Sequence, residues 1–331
     1  MKAIWYEKQG RADEVLEFGD LPTPHPAPGE VRVRLHASGV NPADANRRAG
    51  RMHAGMEFPR IIPNSDGAGV IDALGDGVDR RMLGARVWLH FGQRGRPFGT
   101  AAEYICVPHA LTSPLPDHLD FAHGACLGIP AMTAYISLFQ RGAIKGKYVL
   151  VTGGAGAVGH YAVQLAKWGG AYVIATTSSA LKADHAASGG ADAVIDYTSP
   201  DAAQRILDAT LGRGVDHIVD VNAVDNARLC LQVAANQAQW VSYASGAGLE
   251  QALPLVTLIR KNICLQGLYL PGLPYETRRM AQEGLSRWMQ DVPDAIHAVD
   301  SVFDLRDTAK AHLAVEAGTK LGTVVVRCDT E

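Results

Sequence analysis

The chain of 331 residues is longer than one compact hydrophobic core usually supports, so its length predicts two domains. Hydrophobic residues make up 47% and charged residues 20% of it, and a formal net charge of −3 without runs of like charge argues against binding to nucleic acid or to an anionic membrane. There is no apolar stretch of signal-peptide or membrane-span length, so we expect a cytoplasmic protein. The five cysteines are scattered without a CxxC pair, so we expect neither disulfides nor a structural zinc.

The first ~120 residues read as β-rich, because short apolar alternations are separated by Gly and Pro turns. A proline-dense piece at 21–28 cannot form a central strand, since proline donates no ladder hydrogen bond, and is expected to be an extended connector. These features predict a small barrel or sandwich whose strands cover residues 31–35, 67–71, 85–89 and 103–107.

A helical segment follows at 121–139, interrupted by Gly128-Ile129-Pro130. From residue 148 onward, apolar runs alternate with helix-length segments, which predicts parallel βαβ units and therefore a doubly wound α/β sheet. The expected strands are 148–151, 172–177, 193–197, 217–221 and 239–244, followed by an apolar run at 263–270, a helix at 276–289 and a last strand at 321–327.

Four glycines follow the first of these strands. Gly154-x-Gly156-x-x-Gly159, preceded by Gly153, fits a dinucleotide fingerprint in its expected context of strand, turn and helix. Glycines there let the backbone approach a pyrophosphate, and the helix N-terminus favours an anion. The turn therefore predicts a dinucleotide cofactor.

The end of the second strand indicates which dinucleotide. NAD-specific sites carry a carboxylate about 20 residues past the glycines, where this chain has Thr176-Thr177-Ser178-Ser179 and then Lys182. Hydroxyl groups and a lysine suit a 2′-phosphate, although Ser179 could instead cap a helix and Lys182 could be a solvated helix residue. We expect NADPH.

Several segments together resemble a known family, the zinc-independent quinone oxidoreductases (zeta-crystallin-like) of the medium-chain dehydrogenase/reductase superfamily. The resemblance runs end to end, and the glycine turn and Lys182 stand at the family's spacing. The other matching segments are ASGVNPAD at 37–44, FGTAAEY at 98–104, GIPAMTAY at 128–135 and IDY at 195–197.

The resemblance implies a GroES-like catalytic domain over 1–122, a Rossmann NADPH-binding domain over 123–265, and a C-terminal return over 266–331 that completes the catalytic domain, with the active site in the interdomain cleft. It also implies a homodimer joined through the edge strand at 263–270.

The resemblance further assigns roles to individual residues. Asn41 and Thr133 are expected near the nicotinamide, and Lys320 is either a second cation for the 2′-phosphate or a surface lysine. The remaining cofactor residues would be Gly153, Gly156, Ala157, Val158 and Gly159 at the turn, and Ser178, Lys182 and Tyr197 at the 2′-phosphate.

Zinc alcohol dehydrogenases share this fold, but their catalytic cysteine is replaced here by Val40-Asn41, and their Gly-His-Glu segment by Asn64-Ser65-Asp66-Gly67. A catalytic zinc needs three protein ligands. His36, His53 and His90 could be recruited, but such lone histidines are more often loop or core residues. We expect no metal.

Two positions depart from the family pattern. Asn46 stands where the family often carries an aromatic residue near the nicotinamide, and a turn that usually begins Gly-Asp is here Gly84-Ala85. The second difference is expected to be structural. Asn46 could reshape the substrate pocket, so a particular quinone specificity does not carry over.

The expected activity is NADPH-dependent reduction of a small quinone by hydride or electron transfer, without a metal, with Asn41 as the catalytic residue that orients the cofactor or a substrate carbonyl. By composition alone, Asn41 would be a turn residue before Pro42. Tyr269, His53 and Trp88 are candidate proton donors, and water could serve instead. The alternatives are reduction of activated alkenes (enones or enals) and an NADPH-binding structural protein with little turnover.

Overall fold

The computed structural model describes residues 1–52, 54–245 and 252–329. Contacts within the chain define two compact units: unit 1 contains Met1–Ile129 and His297–Glu331, and unit 2 contains Pro130–Ile296. The chain thus leaves unit 1 once and returns to it. The domain limits expected from the sequence, at 122/123 and 265/266, stay a prediction, because the units are defined by contacts alone.

Unit 1 is β-rich, as its turn-punctuated sequence predicts. Its N-terminal part contains three short helices, α1 (Ala12–Val15), α2 (Pro42–Arg48) and α3 (Phe121–Gly124). The strands of this part are β1 (Lys2–Trp5), β2 (Glu17–Asp20), β3 (Glu30–Val40), β4 (Asp66–Leu74), β5 (Arg86–Leu89), β6 (Tyr104–Pro108) and β7 (Thr112–Pro114).

Unit 2 begins with α4 (Met132–Phe139) and continues as alternating strands and helices. The strands are β8 (Tyr148–Val151), β9 (Tyr172–Thr177), β10 (Ala193–Asp196), β11 (Val215–Asp220), β12 (Ala234–Ser242) and β13 (Cys264–Gly267). The helices are α5 (Ala157–Trp168), α6 (Ala180–Ser188), α7 (Ala202–Ala209), α8 (Ala223–Val233), α9 (Leu255–Lys261) and α10 (Tyr275–Asp291).

The chain then re-enters unit 1 with β14 (Val299–Asp304), α11 (Thr308–Glu316) and β15 (Thr323–Arg327). In the described residues, the main sheet of unit 1 runs β14-β15-β3-β4-β5-β7, and β6 pairs with β3. β3 is its centre, because this long strand pairs with β4, β6 and β15. Alternate β3 residues Val31, Val33 and Leu35 are buried in the core beside Ile71 and Ile105.

The described strands of unit 2 form one parallel sheet in the order β10-β9-β8-β11-β12-β13. Strand order reverses between β8 and β11, which lie side by side although five helices and strands (α5, β9, α6, β10 and α7) separate them along the chain. Val149, Leu150 and Val151 of β8 are fully buried, as expected of a central parallel strand covered by helices on both faces. A doubly wound sheet of this order binds ligands beyond the carboxyl ends of its strands.

The predicted elements match the structure except at some boundaries. The predicted helix at 121–139 is divided into α3 and α4 by a kinked segment, Leu127–Ala131, because Gly128 has non-helical angles and Pro130 removes a donor. β12 begins at Ala234, directly after α8, rather than at 239. The apolar run at 263–270 is a strand only through Gly267, since the chain turns at Leu270–Gly272 around Pro271.

No helix among the described residues is long and apolar enough to span a membrane.

Gly284 lets α10 lie close to α4 within unit 2. A Cβ at this position would come within 2.1 Å of Cζ and 2.2 Å of Oη of Tyr135. We predict that Gly284→Ala destabilises the protein by about 1–3 kcal/mol, because this overpacking exceeds the gain in helix propensity of about 1 kcal/mol. Urea unfolding checks it, with Glu283→Ala on the exposed side of α10 as control. Equal stability of Gly284→Ala and the wild type would contradict the close approach.

Candidate functional site

The glycine turn of unit 2 joins β8 to α5, and three of its glycines are required by the chain itself. Gly153 has a φ of +64°, a backbone angle that residues with a side chain rarely adopt. A Cβ on Gly154 would lie 2.8 Å from the Cβ of Ala175, and a Cβ on Gly159 would lie 2.2 Å from the carbonyl oxygen of Gly153. These contacts bring the start of α5 directly against the end of β8.

Gly156 is the exception. Its φ is −76°, and the nearest atom to a Cβ built there is the Gly153 carbonyl oxygen at 3.5 Å, an ordinary van der Waals distance. Gly156 is the N-cap of α5, and no side chain caps this helix. The first amides of a helix have no intrahelical acceptor. The missing side chain therefore leaves open space where an anionic group could meet those amides, which fits a dinucleotide pyrophosphate.

The end of β9 brings the predicted 2′-phosphate residues together. The Nζ of Lys182 donates to the Oγ of Ser178 at 3.5 Å, and the backbone N–H of Tyr197 donates to the carbonyl of Thr177 at 3.1 Å. The Tyr197 side chain is 47% exposed. Ser179 caps α6 by accepting from the N–H of Lys182, so the capping role considered for it is confirmed.

One carboxylate at this edge was not identified from the sequence. Asp196 ends β10 and pairs in register with Thr177. Its Oδ1 accepts from the N–H of Thr198 at 2.9 Å and from the Thr198 Oγ1 at 2.7 Å, and these hydrogen bonds lower its pKa. The acid is thus held by its own turn. Asp196 lies on the neighbouring strand β10, whereas the spacing rule for NAD-binding acids concerns the end of β9.

Asn41 of unit 1 lies where β3 ends and α2 begins. Its backbone N–H donates to Asp44 Oδ2 at 2.9 Å, and its side-chain Nδ2 donates to Asp66 Oδ2 at 2.7 Å. Ser65 Oγ donates to the other oxygen of Asp44 at 2.7 Å. Asn41, Asp44, Ser65 and Asp66 are all buried. The predicted turn residue therefore belongs to a cluster that contains two buried carboxyl groups.

Burial raises the pKa of both carboxyl groups, and that of Asp66 lies well above its ordinary value. The charge of Asp44 raises the pKa of Asp66 further, whereas the hydrogen bonds from Asn41 and from the Ile129 N–H lower it. Oδ1 of Asp66 has no hydrogen-bond partner among the described residues. A Cβ on Gly128 would lie 2.2 Å from this oxygen, so only glycine fits beside it.

A chain of hydrogen bonds leads from α11 to Asp66 within unit 1. His312 Nε2 donates to Asn64 Oδ1 at 2.9 Å, and Asn64 Nδ2 donates to Ser38 Oγ at 3.0 Å. Ser38 donates to Thr100 Oγ1 at 2.7 Å, which donates to the Asp66 carbonyl at 2.7 Å. Because the amide oxygen of Asn64 can only accept and the Thr100 hydroxyl donates to Asp66, every donor in this chain points from His312 toward Asp66.

The other candidate residues of the sequence analysis differ in burial and in hydrogen bonding. Thr133 is buried on α4, and no hydrogen bond of its side chain to the glycine turn is present in the described residues. Trp88 is fully buried in β5, whereas Tyr269 is 57% exposed. Lys320 Nζ donates to the carbonyl of Gly322, and burial lowers its pKa. His53 lies outside the described residues.

No group of three or more His, Cys, Asp or Glu residues in the described ranges could hold a metal ion. His36 is bonded to Asp329 and stacked on Phe121, and His90 is buried against Phe91.

Asp44 and Asp66 are the functional candidates that sequence reasoning missed. Asp44 lies in ASGVNPAD, a segment that resembles the family, and Asp66 lies in Asn64-Ser65-Asp66-Gly67, which replaces a zinc-ligand segment. Within these two segments, the sequence predicts only Asn41 as a site residue. A signal existed for Asp44, since an Asp three residues after an N-cap Asn is a capping arrangement. None existed for Asp66, whose partner is 25 residues away in sequence.

The buried neutral histidine of unit 1 gives a pH-dependent prediction. Burial lowers the pKa of His312 to about 3, whereas the unfolded chain has about 6.5. The native state therefore loses stability as the pH falls below 6.5, because the unfolded chain takes up a proton that the folded chain refuses. For His312→Gln, which keeps a donor to Asn64, the stability relative to wild type should rise by about 2 kcal/mol between pH 7.5 and pH 5.

Urea unfolding at both pH values measures this difference, and exposed His118→Gln is the control. A relative stability of His312→Gln that does not change with pH would contradict a neutral, buried His312.

Comparisons with known proteins agree with this architecture. The model of the alcohol dehydrogenase GroES-like domain matches residues 27–117, and that of the zinc-binding dehydrogenase matches residues 157–286. A quinone oxidoreductase of Pseudomonas aeruginosa is 30% identical over 95% of both chains, and a 2-haloacrylate reductase of a Burkholderia species is 29% identical over 98% of both.

Solved structures are similar over nearly the whole chain. A mycobacterial protein in complex with NADPH, 28% identical, aligns with a TM-score of 0.86 over 99% of this chain and 100% of its own. A structure titled NAD-dependent alcohol dehydrogenase, also 28% identical, aligns with a TM-score of 0.89 over the same shares. The fold class and the family resemblance are confirmed: the chain belongs to the zinc-independent quinone oxidoreductase, or zeta-crystallin-like, family of medium-chain dehydrogenases/reductases.

Proposed function

We propose that this protein is an NADPH-dependent reductase of small quinones that works without a metal. The observation that carries the cofactor part is Gly156, the one glycine of the turn whose missing side chain the chain itself does not require. The acceptor part is supported by the quinone oxidoreductase of Pseudomonas aeruginosa, which is similar over almost the full length.

The proposed cofactor residues are those expected from the sequence. The backbone at Gly153, Gly156 and Gly159, with the amides of Ala157 and Val158, would hold the pyrophosphate. Ser178, Lys182 and Tyr197 would bind the 2′-phosphate, since Lys182 supplies a cation and Ser178 a hydroxyl beside it. Asn41 and Thr133 would contact the nicotinamide, with Asn41 as the catalytic residue.

NADPH, when bound, supplies the hydride or electron for the acceptor, so the protein needs no nucleophile. The role of the chain is to bind the cofactor, orient it and exclude water. Trp88 is fully buried, and its indole N–H is a very weak acid, so we do not propose it as proton donor. Water can protonate a reduced quinone.

A second acceptor class, activated alkenes, has support of its own. One relative is a 2-haloacrylate reductase, and another, from Arabidopsis thaliana, is an NADPH-dependent alkenal/one oxidoreductase, 33% identical over 63% of this chain. Reduction of either class of acceptor would use NADPH bound at the same glycine turn. The third interpretation, an NADPH-binding structural protein, would show cofactor binding with little turnover.

The acceptor class is tested by following NADPH oxidation with 1,4-benzoquinone, 9,10-phenanthrenequinone and a 2-alkenal. Turnover of the quinones at saturating NADPH is the expected result. Activity confined to the 2-alkenal would replace the first proposal with the second, and binding of NADPH without turnover of any acceptor would favour the structural role.

We also propose a homodimer formed through the β13 edge of the unit 2 sheet. Among the strands of the described residues, β13 pairs with β12 alone, and helix α9 exposes Leu255, Val256 and Ile259. Light scattering tests the oligomeric state, and a monomer at micromolar concentration would contradict it. We propose the cytoplasm as the location, because the five cysteines are scattered along the sequence without a CxxC pair.

Lys182 should determine the preference for NADPH. We predict that Lys182→Ala raises the Kd for NADPH about 10- to 100-fold and leaves that for NADH within about twofold, because a charge-assisted hydrogen bond contributes about 1.5–3 kcal/mol. Fluorescence titration measures both constants, and exposed Lys145→Ala is the control. An unchanged Kd for NADPH, or tighter binding of NADH by the wild type, would refute the assignment.

Substitutions at Gly156 and Gly159 should affect cofactor binding and folding differently. In Gly156→Ala, the added Cβ meets no atom of the chain closer than 3.5 Å but occupies the open space of the turn. We predict an unchanged melting temperature and at least a tenfold weaker Kd for NADPH. In Gly159→Ala, the clash with the Gly153 carbonyl should lower the melting temperature. Wild-type affinity in Gly156→Ala would argue against a pyrophosphate at this turn.

A further inference from the structure

The side-chain amide of Asn41 is fixed by a partner that lies on another strand. Its Nδ2 donates to Asp66 Oδ2 at 2.7 Å, and its backbone N–H is held by Asp44. An asparagine amide presents a donor on one side and an acceptor on the other, and rotation by 180° exchanges them. Because Asp66 accepts from the nitrogen, the exchange is blocked and one edge of the amide is set.

Asp66 is itself held rigidly. Its Oδ2 also accepts from the N–H of Ile129 at 2.8 Å, and its carbonyl accepts from Thr100 at the end of the hydrogen-bond chain that begins at His312. Gly128 packs against the other carboxyl oxygen so closely that no Cβ fits. The acceptor for Asn41 therefore cannot turn away.

We propose that Asp66 is a positioning residue that fixes the amide of Asn41 so that it offers the cofactor a single donor and acceptor arrangement. The inference rests on the proposed function, because it assumes that Asn41 contacts the nicotinamide. Asp66 does not touch the cofactor in this role. It acts by removing one rotational state of the amide before the cofactor binds, which reduces the ordering required on binding.

The charge state of Asp66 gives the inference a second measurable consequence. Both N–H donors reach Oδ2, so the proton of a neutral carboxyl group rests on Oδ1, which has no acceptor among the described residues. Burial and the charge of Asp44 raise the pKa of Asp66 and favour this neutral form. A neutral acid of this geometry has an isostere in asparagine, whose carbonyl oxygen accepts as Oδ2 does.

A double-mutant cycle on the Kd for NADPH tests the inference without any acceptor. The variants are Asn41→Ala, Asp66→Leu and the two combined, and the Kd is measured by fluorescence titration. We expect each single change to weaken NADPH binding about tenfold, and the combination also about tenfold, because Asp66 acts through Asn41. A loss of about a hundredfold in the combination, the product of independent effects, would overturn the inference, as would wild-type affinity of Asp66→Leu.

The conservative change supplies the second measurement. Asp66→Asn should keep the wild-type Kd, and a loss as large as that of Asp66→Leu would contradict a neutral acceptor. Asp117→Asn is the control, because it makes the same change at a carboxylate that is fully exposed to solvent. Melting temperatures report folding, and Asp66→Ala takes the place of Asp66→Leu in the cycle should the larger side chain prevent folding.

Failure of the inference and failure of the proposed function are distinguishable in this design. A wild type that binds NADPH but reduces no quinone contradicts the acceptor proposal and leaves the cycle measurable. A wild type that does not bind NADPH contradicts both. Normal quinone reduction with additive effects in the cycle contradicts only the role of Asp66.

Discussion

The structure of unit 2 depends on how closely the backbone of Gly159 approaches the carbonyl oxygen of Gly153. A side chain at 159 would lie 2.2 Å from that oxygen, so the helix can start against the strand only if this residue is glycine. That close start aims the N-terminus of α5 at the carboxyl edge of a parallel sheet, beside the point where strand order reverses. The proposed anion site is thus a consequence of how tightly strand and helix are joined.

Unit 1 is held together by a buried chain of polar side chains as well as by the apolar face of its sheet. The hydrogen bonds from His312 through Asn64, Ser38 and Thr100 end on the carbonyl of Asp66. Buried polar groups are stabilising only while they are paired, so this chain allows few rearrangements. It connects α11, which lies in the C-terminal return, to strands β3 and β4, and it places Asp66 beside Asn41. The last residues of the chain thereby contribute to the geometry of a residue near its beginning.

The features that could be predicted from the sequence are those encoded locally. The glycine turn and the parallel strands were predicted because their spacing and apolar runs lie within short windows. The start of β12 at Ala234 was missed because residues 234–238 include Asn236 and Gln237, which do not resemble a strand. Asp196 and Asp66 were missed because each reaches its site from a different strand, and nothing in the sequence pattern brings those strands together.

Asn46, one of the two positions that depart from the family pattern, takes part in the contacts that hold α2. Its Oδ1 accepts from Arg51, and Arg51 shares Glu316 of α11 with the buried Arg48. A phenylalanine at 46 could not accept this hydrogen bond, so the asparagine acts together with the ion pairs that attach α2 to α11. Since Asn41 is the N-cap of α2, the same attachment holds the helix whose first turn carries Asp44. The ion pairs to Glu316 and the hydrogen bond of Asn46 therefore act on the same short helix that begins at Asn41, so the position of that residue depends on contacts at both ends of α2.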